Sequence, residues 1–302
     1  MTTLTSPTRA RGAAGTPRPR RGAAAASRRP AFLPTAVLLL GALYCLLPVA
    51  WVVAASTKSG SSLFTTFTFA PSTSFAENVT DLFAYADGIY WKWVFNTALY
   101  AGGGALLSAA LSGLTGYALA KYRFPGRTLI FNILLAGVLV PTIVLAVPQY
   151  LLLAKVGMTN TYWSVLLPSI VSPYGIYLAR IYAAAAVPDT VIEAARTDGA
   201  GEFRIFWTLA RPMMTPGLVT VFLFQFVAIW NNFLLPFIML ADDTKFPVTL
   251  GLYTMLNRGA TTPALYSLVI TGSLLSIIPL VALFLSLQRF WRIDLISGAV
   301  KA

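Results

Sequence analysis

Histidine is absent from the 302-residue sequence, and cysteine occurs once, as Cys45 inside an apolar run. These absences exclude a disulfide within the chain, Cys/His zinc sites and His-based catalysis. Charge is scarce as well: Asp, Glu, Lys and Arg make up 11 % of the residues against 57 % hydrophobic, and the mean hydropathy is +0.72. Too few polar side chains remain to cover a water-soluble globule of this size. The charges that do occur form short clusters separated by long stretches with none, a pattern a bilayer imposes. The composition predicts an all-α polytopic membrane protein, with any chemistry performed elsewhere.

Six charge-free runs exceed the roughly 20 helical residues that a hydrocarbon core of about 30 Å requires. They are Phe32 to Ala55, Trp93 to Ala120, Thr128 to Ala154, Val156 to Ala179, Pro212 to Ala241 and Gly259 to Gln288. Lys155 alone separates the third from the fourth, and with Gly157, Thr159, Asn160 and Thr161 beside it reads as a tight interfacial turn between two helices. Basic residues accumulate on the cytoplasmic side of a membrane protein. Six spans place 17 of the 22 Lys and Arg on one side and 5 on the other, so both termini are expected to be cytoplasmic. The net charge of +12 is then an orientation signal and not a sign of a nucleic-acid partner.

Residues 1–31 hold seven Arg, no acid and much Ala, Gly, Pro, Ser and Thr, a composition that cannot bury a core. A disordered cytoplasmic tail is expected, able to touch anionic membrane lipid. The hydrophobic stretch that follows exceeds a signal peptide's and lacks a clear small-residue cleavage site, so it is read as an uncleaved anchor.

Within the second run Gly104, Ser108, Ser112 and Gly116 recur every four residues, with Ala105, Ala109 and Gly113 in a row beside them. Such a face admits close approach of another helix, either of the same chain or of a second subunit. Pro141 and Pro148 in the third run, and Pro168 and Pro173 in the fourth, are expected to kink or interrupt helices. Gln225, Asn231 and Asn232 are the polar residues of the fifth run, and two roles are open for them: lining a path for a hydroxylated solute, or hydrogen bonding between helices. Trp91 and Trp93 read as interfacial anchors.

No run carries an ionisable residue at depth, which argues against a proton-driven carrier and, less strongly, a sodium-driven one. The chain also has no GxxxxGK[ST] phosphate loop. Energy for transport would therefore come through a partner. The natural docking surface is the segment between the fourth and fifth runs, which reads "VPDTVIEAARTDGAGEFRIFWTLARPMMTPGL" from Val187 to Leu218. Pro188 and Asp189 mark a helix start with Asp189 as N-cap, and Glu193 lies within the first turn. Gly199 supplies a bend, and Glu202 to Ala210 form a second short helix with Phe203, Phe206 and Trp207 on one apolar side, before Pro212 and Pro216 open the fifth span. On local physics alone the segment is equally an interfacial amphipathic loop.

This segment resembles the EAA loop of binding-protein-dependent ABC importer permeases: EAA, then DGA, then a Pro about 14 residues after that Asp, here Glu193, Ala194, Ala195, Asp198, Gly199, Ala200 and Pro212. "GYALAKYRFPGR" at Gly116 to Arg127, "NTYW" at Asn160 to Trp163, "WNNFLLPF" at Trp230 to Phe237, "FPVTLGL" at Phe246 to Leu252 and "SGAVKA" at Ser297 to Ala302 are similar to the carbohydrate branch, the second (MalG-type) permease of maltose-type systems. The resemblance covers about residues 32 to 302.

The resemblance implies a type I ABC importer permease fold over 32–302, with the coupling loop at about 187–212. It implies a bacterial plasma-membrane subunit that forms half of a sugar pathway beside a second permease, with two cytoplasmic ATP-binding subunits and an extracytoplasmic solute-binding protein. No cofactor would be bound by this chain; ATP and Mg would be used by the partner ATPase. Glu193 would be the polar contact to that ATPase, Gly199 the turn, and Ala194 and Ala195 the close-packed surface, with Gly298 and Ala299 a second contact. The external segments Thr57 to Lys92 and Asp242 to Arg258 would face the binding protein. An ion-coupled secondary carrier of a small polar solute is the rival reading.

Overall fold

Long apolar runs must pair every backbone N–H and C=O within themselves, and this chain does so with helices. The computed structural model describes the backbone of residues 32–60 and 62–299 and the side chains of those up to residue 290, and every regular element among the described residues is helical. The tail expected at 1–31 lies outside them.

The span helices are α1 (Phe32–Ser56), α2 (Ile89–Lys121), α3 (Arg127–Leu139), α4 (Thr142–Lys155), α5 (Tyr162–Ile170) and α6 (Pro173–Ala186). The exposed helix α7 (Asp189–Thr197) leads into α8 (Glu202–Trp230), and α9 (Val248–Arg258) precedes α10 (Ala264–Ala299). Five stretches are long and apolar enough to cross a membrane: α1, α2, Tyr162–Ala186, α8 and Ala264–Phe290. The pair α3 and α4, bent by 105°, makes a sixth when counted as one span.

Residues up to Leu47 and those from Pro48 onward form two units. The described part of the first is an apolar helical segment from Phe32 whose leucines are exposed. The second unit is organised by the small-residue face of α2. Ala105, Ser108, Ser112 and the glycines beside them are buried against α6 and α8 of the same chain. A Cβ on Gly116 would lie 2.6 Å from the backbone N of Arg180 and 2.7 Å from the Ala179 Cβ, and one on Gly113 would lie 2.8 Å from Leu218. The face that sequence left open to two partners is therefore spent inside this chain. In lipid, where helices gain nothing from leaving water, such close contact is the main source of association.

Several run boundaries are displaced: the second span starts at Ile89 instead of Trp93, the fourth runs on past Ala179 to Ala186 and the sixth starts at Ala264 instead of Gly259. The fourth span starts at Tyr162 instead of Val156, because Gly157 (φ +68°) and Asn160 (φ +56°) hold the expected turn. Asn160 locks that turn from outside: its Oδ1 accepts from the backbone N–H groups of Ala241 and Asp242, each at 3.0 Å, and its own N–H donates to Met239 O at 2.8 Å. The fifth span begins at Glu202, not Pro212, and ends at Trp230, not Ala241. A π turn at Phe206–Ala210, immediately before Pro212, widens the helix and carries it past the proline, so the second loop helix and the span are one continuous element.

The segments between spans are packed as well. Asn78 is buried, its amide donating to Ser56 O and Lys58 O at 2.9 and 2.8 Å, and buried Lys58 donates to Phe67 O at 2.7 Å. Trp93 is not an interfacial anchor. It is 2 % exposed, donates from Nε1 to Asp243 O at 2.9 Å, and stacks so closely on Gly251 that a Cβ there would lie 2.1 Å from the ring. Trp91, by contrast, is exposed.

Candidate functional site

Gly298 and Ala299 aside, the site residues expected from sequence fall at two places in the second unit, the loop around α7 and a cavity among the broken spans.

At the loop, α7 begins one residue earlier than an Asp189 cap would place it. Pro188 occupies the N-cap position and Asp189 is the first helical residue, with no capping hydrogen bond. Asp189 instead accepts from Lys121 Nζ at 2.8 Å, which ties the start of α7 to the last turn of α2. That hydrogen bond and the Lys121 charge hold the Asp189 carboxyl below the usual carboxylate range. At the far end, Arg196 Nε donates to Glu202 Oε1 at 2.6 Å and Tyr122 Oη donates to Glu202 Oε2 at 2.7 Å. Burial, then the bond to Glu202, pushes the Tyr122 phenol up. Between them Gly199 has φ +80°, the left-handed conformation that ends a helix at little cost only for glycine. The Ala200 N–H returns to Ala195 O at 2.9 Å and closes the turn.

This clamp sets which residues face out. Ile192 and Ala195 point inward, into a cluster with Tyr117, Val187, Ile205, Phe206 and Met214. Glu193, Ala194, Asp198 and Gly199 are exposed, and Ala200 is half-buried. Of the two alanines expected to form one surface, Ala194 is on the open face and Ala195 belongs to the chain's own core. The three aromatics expected on one side also divide: Phe206 is buried, while Phe203 and Trp207 are exposed, with Arg211 over the Trp207 ring at 5.2 Å. Gly298 and Ala299 fall in the last turn of α10, beyond the described side chains.

The cavity, about 610 Å³, lies where three helices are interrupted. Pro141 separates α3 from α4, with Val140 driven to extended backbone (φ −75°, ψ 120°) as a residue before proline is. Val171 and Ser172 separate α5 from α6 ahead of Pro173, and α8 ends at Trp230, with Asn231 as its C-cap. All three breaks line the same space. A proline has no N–H for the carbonyl four residues earlier, which here orphans Gly137 O and Ser169 O. Gly137 O accepts from Val140 N at 3.4 Å, and Ser169 O accepts from Gln225 Nε2 at 2.9 Å.

Gln225, Asn231 and Asn232 thus meet at one cavity and also bond within the protein. Asn231 Nδ2 donates to Val227 O at 2.8 Å, and Asn232 Oδ1 accepts from Leu235 N at 3.3 Å. Gln149, Thr142 and Tyr174, which sequence did not single out, line it too.

Residues 108–292 match the family described as "binding-protein-dependent transport system inner membrane component". The chain belongs to this family. The permease is 36 % identical over 236 residues to the arabinooligosaccharides transport system permease protein AraQ of Halalkalibacterium halodurans, covering 78 % of this chain and 83 % of that protein. It is 30 % identical to the lactose transport system permease protein LacG of Rhizobium radiobacter, over 91 % of this chain and 97 % of that one. The diacetylchitobiose uptake system permease protein NgcG of Streptomyces coelicolor is 31 % identical, over 77 % of this chain and 76 % of that protein. The fold of this chain is similar to that of a chain in a bacterial ABC transporter involved in the import of the acidic polysaccharide alginate, with a TM-score of 0.74 at 22 % identity, over 86 % of this chain and 95 % of that one. The family places the permease in the inner membrane and sets aside the ion-coupled carrier.

Sequence missed the residues that position the loop. Lys121, Tyr122, Arg196 and Glu202 lie outside the EAA and DGA triplets; Lys121 meets Asp189 and Tyr122 meets Glu202 across 68 and 80 residues closed only by the fold, while Arg196 and Glu202 are six residues apart. The available signal was charge: Lys121 and Asp189, and Arg196 and Glu202, are opposite charges beside predicted helix ends.

Proposed function

We propose that the permease is one half of the membrane pathway of an ATP-driven importer that takes up a sugar or oligosaccharide delivered by an extracytoplasmic binding protein. It works beside a second permease and two ATP-binding subunits, which use the ATP and Mg; this chain itself binds no cofactor. Membership of a binding-protein-dependent family and relatives named for arabino-oligosaccharide, lactose and diacetylchitobiose transport support the sugar class. Seventeen of the 22 basic residues on one side of six spans support cytoplasmic termini, which puts the α7 loop in reach of cytoplasmic ATPase subunits.

The observation that carries the coupling role is the clamp on α7. A helix of nine residues is held at both ends by bonds to α2 and α8 while Glu193 and Ala194 stay exposed. A lever transmits ATPase closure only if it is rigid against its own spans and open toward its driver. Glu193 is the polar contact, Ala194 allows close approach, and Asp198, Gly199 and Ala200 shape the turn. Ala195 anchors the lever inward. Gly298 and Ala299 offer a second ATPase contact.

Purification of the tagged protein from its native membrane in mild detergent tests this. Recovery of a second six-span permease with two ATPase copies is expected, and Glu193→Ala is expected to lower ATPase recovery while leaving the permease pair intact. Recovery of this chain alone, active after reconstitution without ATP, overturns the proposal.

A further inference from the structure

The cavity carries an inference beyond the general pathway role, and it rests on the proposed function. Two of the three breaks that line it fall midway along their spans: Val140–Pro141 in the middle of the 128–154 run, and Val171–Ser172 near the middle of Tyr162–Ala186. Irregular backbone at that depth is tolerated only where protein or a water-filled space receives it. The lining is neutral throughout: no Asp, Glu, Lys or Arg borders the cavity among the described residues. Its polar groups are amides and hydroxyls with unused capacity. Among the described residues Gln149 and Tyr174 make no side-chain hydrogen bond, Gln225 uses only Nε2, Asn231 only Nδ2 and Asn232 only Oδ1. Phe233 adds a ring to the wall, held edge-on by Tyr253 with centroids 4.7 Å apart.

We infer that this cavity is a subsite for one or more units of a neutral sugar, in which Gln149, Gln225, Asn231 and Asn232 exchange hydrogen bonds with hydroxyl groups and Phe233 and Tyr174 present ring faces or edges to the C–H surface. Amides suit this because each offers donor and acceptor to an O–H that is both. The volume lies within the range of small-molecule sites. A site without a cation does not repay the desolvation of a carboxylate or phosphate, so the subsite discriminates against uronic acids and phosphorylated solutes. The amide of Gln225 has a second task, since its Nε2 is already engaged by Ser169 O, so the clean probe is Gln149.

The test is ATP-dependent uptake into proteoliposomes of the whole complex with its binding protein. The panel is radiolabelled lactose, arabinobiose, melibiose and diacetylchitobiose, against sn-glycerol 3-phosphate and digalacturonate. Uptake of at least one neutral sugar and of neither anion is expected. Gln149→Leu, checked for wild-type recovery with its partners, is expected to raise the KM for that sugar by roughly 3- to 10-fold, the loss of about one net hydrogen bond. Uptake of either anion, alone or beside a neutral sugar, overturns the neutral class. A KM unchanged in both Gln149→Leu and Asn231→Leu, with the wild type active, overturns the subsite and leaves the importer reading standing. No ATP-dependent uptake of any member overturns the proposed function on which the subsite rests.

Discussion

The three-helix contact of α2, α6 and α8 and the bent pair α3 and α4 solve the same problem in opposite ways. In the first, glycine, alanine and serine bring backbones so close that a methyl group at Gly116 or Gly113 has no room, and the surface is consumed within the chain. In the second, proline turns the backbone through 105°, and most of the apolar side chains of α3 and α4 stay exposed. The tight region is the frame. The open one is where a cavity forms, and the lipid and the proposed second permease are the neighbours available to cover its apolar side chains. Small residues spaced by four specify contact, whereas prolines spaced along a span specify its interruption, and the two patterns divide a uniformly apolar chain into fixed and open parts.

The largest expected effect breaks the frame. Gly116→Val sets a branched side chain against the Arg180 backbone and is expected to cost on the order of 3 kcal/mol, seen as loss of the protein from the membrane fraction. Gly137→Ala, whose Cβ would lie an ordinary 3.5 Å from Pro173, is expected to accumulate normally in the same assay. Equal loss of both would erase the contrast between the two regions.

Next is the link between them. Gln225→Leu leaves Ser169 O buried without its donor and is expected to cost about 1–3 kcal/mol, read as a lowered thermal midpoint of the purified complex. Gln225→Glu, which keeps the shape but not the donor, is expected to be no better.

Pro141→Ala sharpens the comparison by restoring the missing N–H. Spin labels at positions 130 and 152 are expected to move apart toward the roughly 33 Å of a straight 22-residue helix. An unchanged distance would mean that packing, and not proline, sets the bend.

The smallest effect belongs to the clamp. Asp189 is exposed and α7 stays held by Arg196–Glu202 and by buried Ile192 and Ala195, so Lys121→Ala is expected to change uptake by no more than about twofold. Because the folded-state carboxyl of Asp189 is held low, the contact is fully present above the usual carboxylate range and lost only as pH falls through the lowered value. The pair's contribution to uptake is therefore expected to be constant from about pH 5 to 8, so the pH profiles of wild type and Asp189→Asn should run parallel over that range.

Much of this arrangement was legible in the sequence because it follows from local chemistry. Charge-free runs gave the spans, the small-residue rows gave the α2 face, Gly157 and Asn160 gave the turn, and Pro141 and Pro173 gave the breaks. What failed depended on distant partners. Charge-free runs do not mark helix ends: Arg180 lies inside the fourth helical stretch because its guanidinium rests 3.7 Å from the Phe131 ring centroid, and Pro212 sits inside a helix because a π turn precedes it. Trp93 looked like an anchor because Gly251, on which it packs, is 158 positions away. The loop motif located the exposed helix, but only the fold divided Ala194 from Ala195 and Phe206 from Phe203.

The coupling role of α7 is the central claim, and the single cysteine makes it directly testable. With Cys45 replaced by alanine, Ala194→Cys in the assembled complex should cross-link through a short bismaleimide to an ATPase subunit carrying a cysteine introduced in its permease-facing cleft. The yield should change when ATP closes the ATPase pair. A cysteine at 194 that reacts freely with maleimide in the intact complex, with or without ATP, and gives no cross-link would contradict the account.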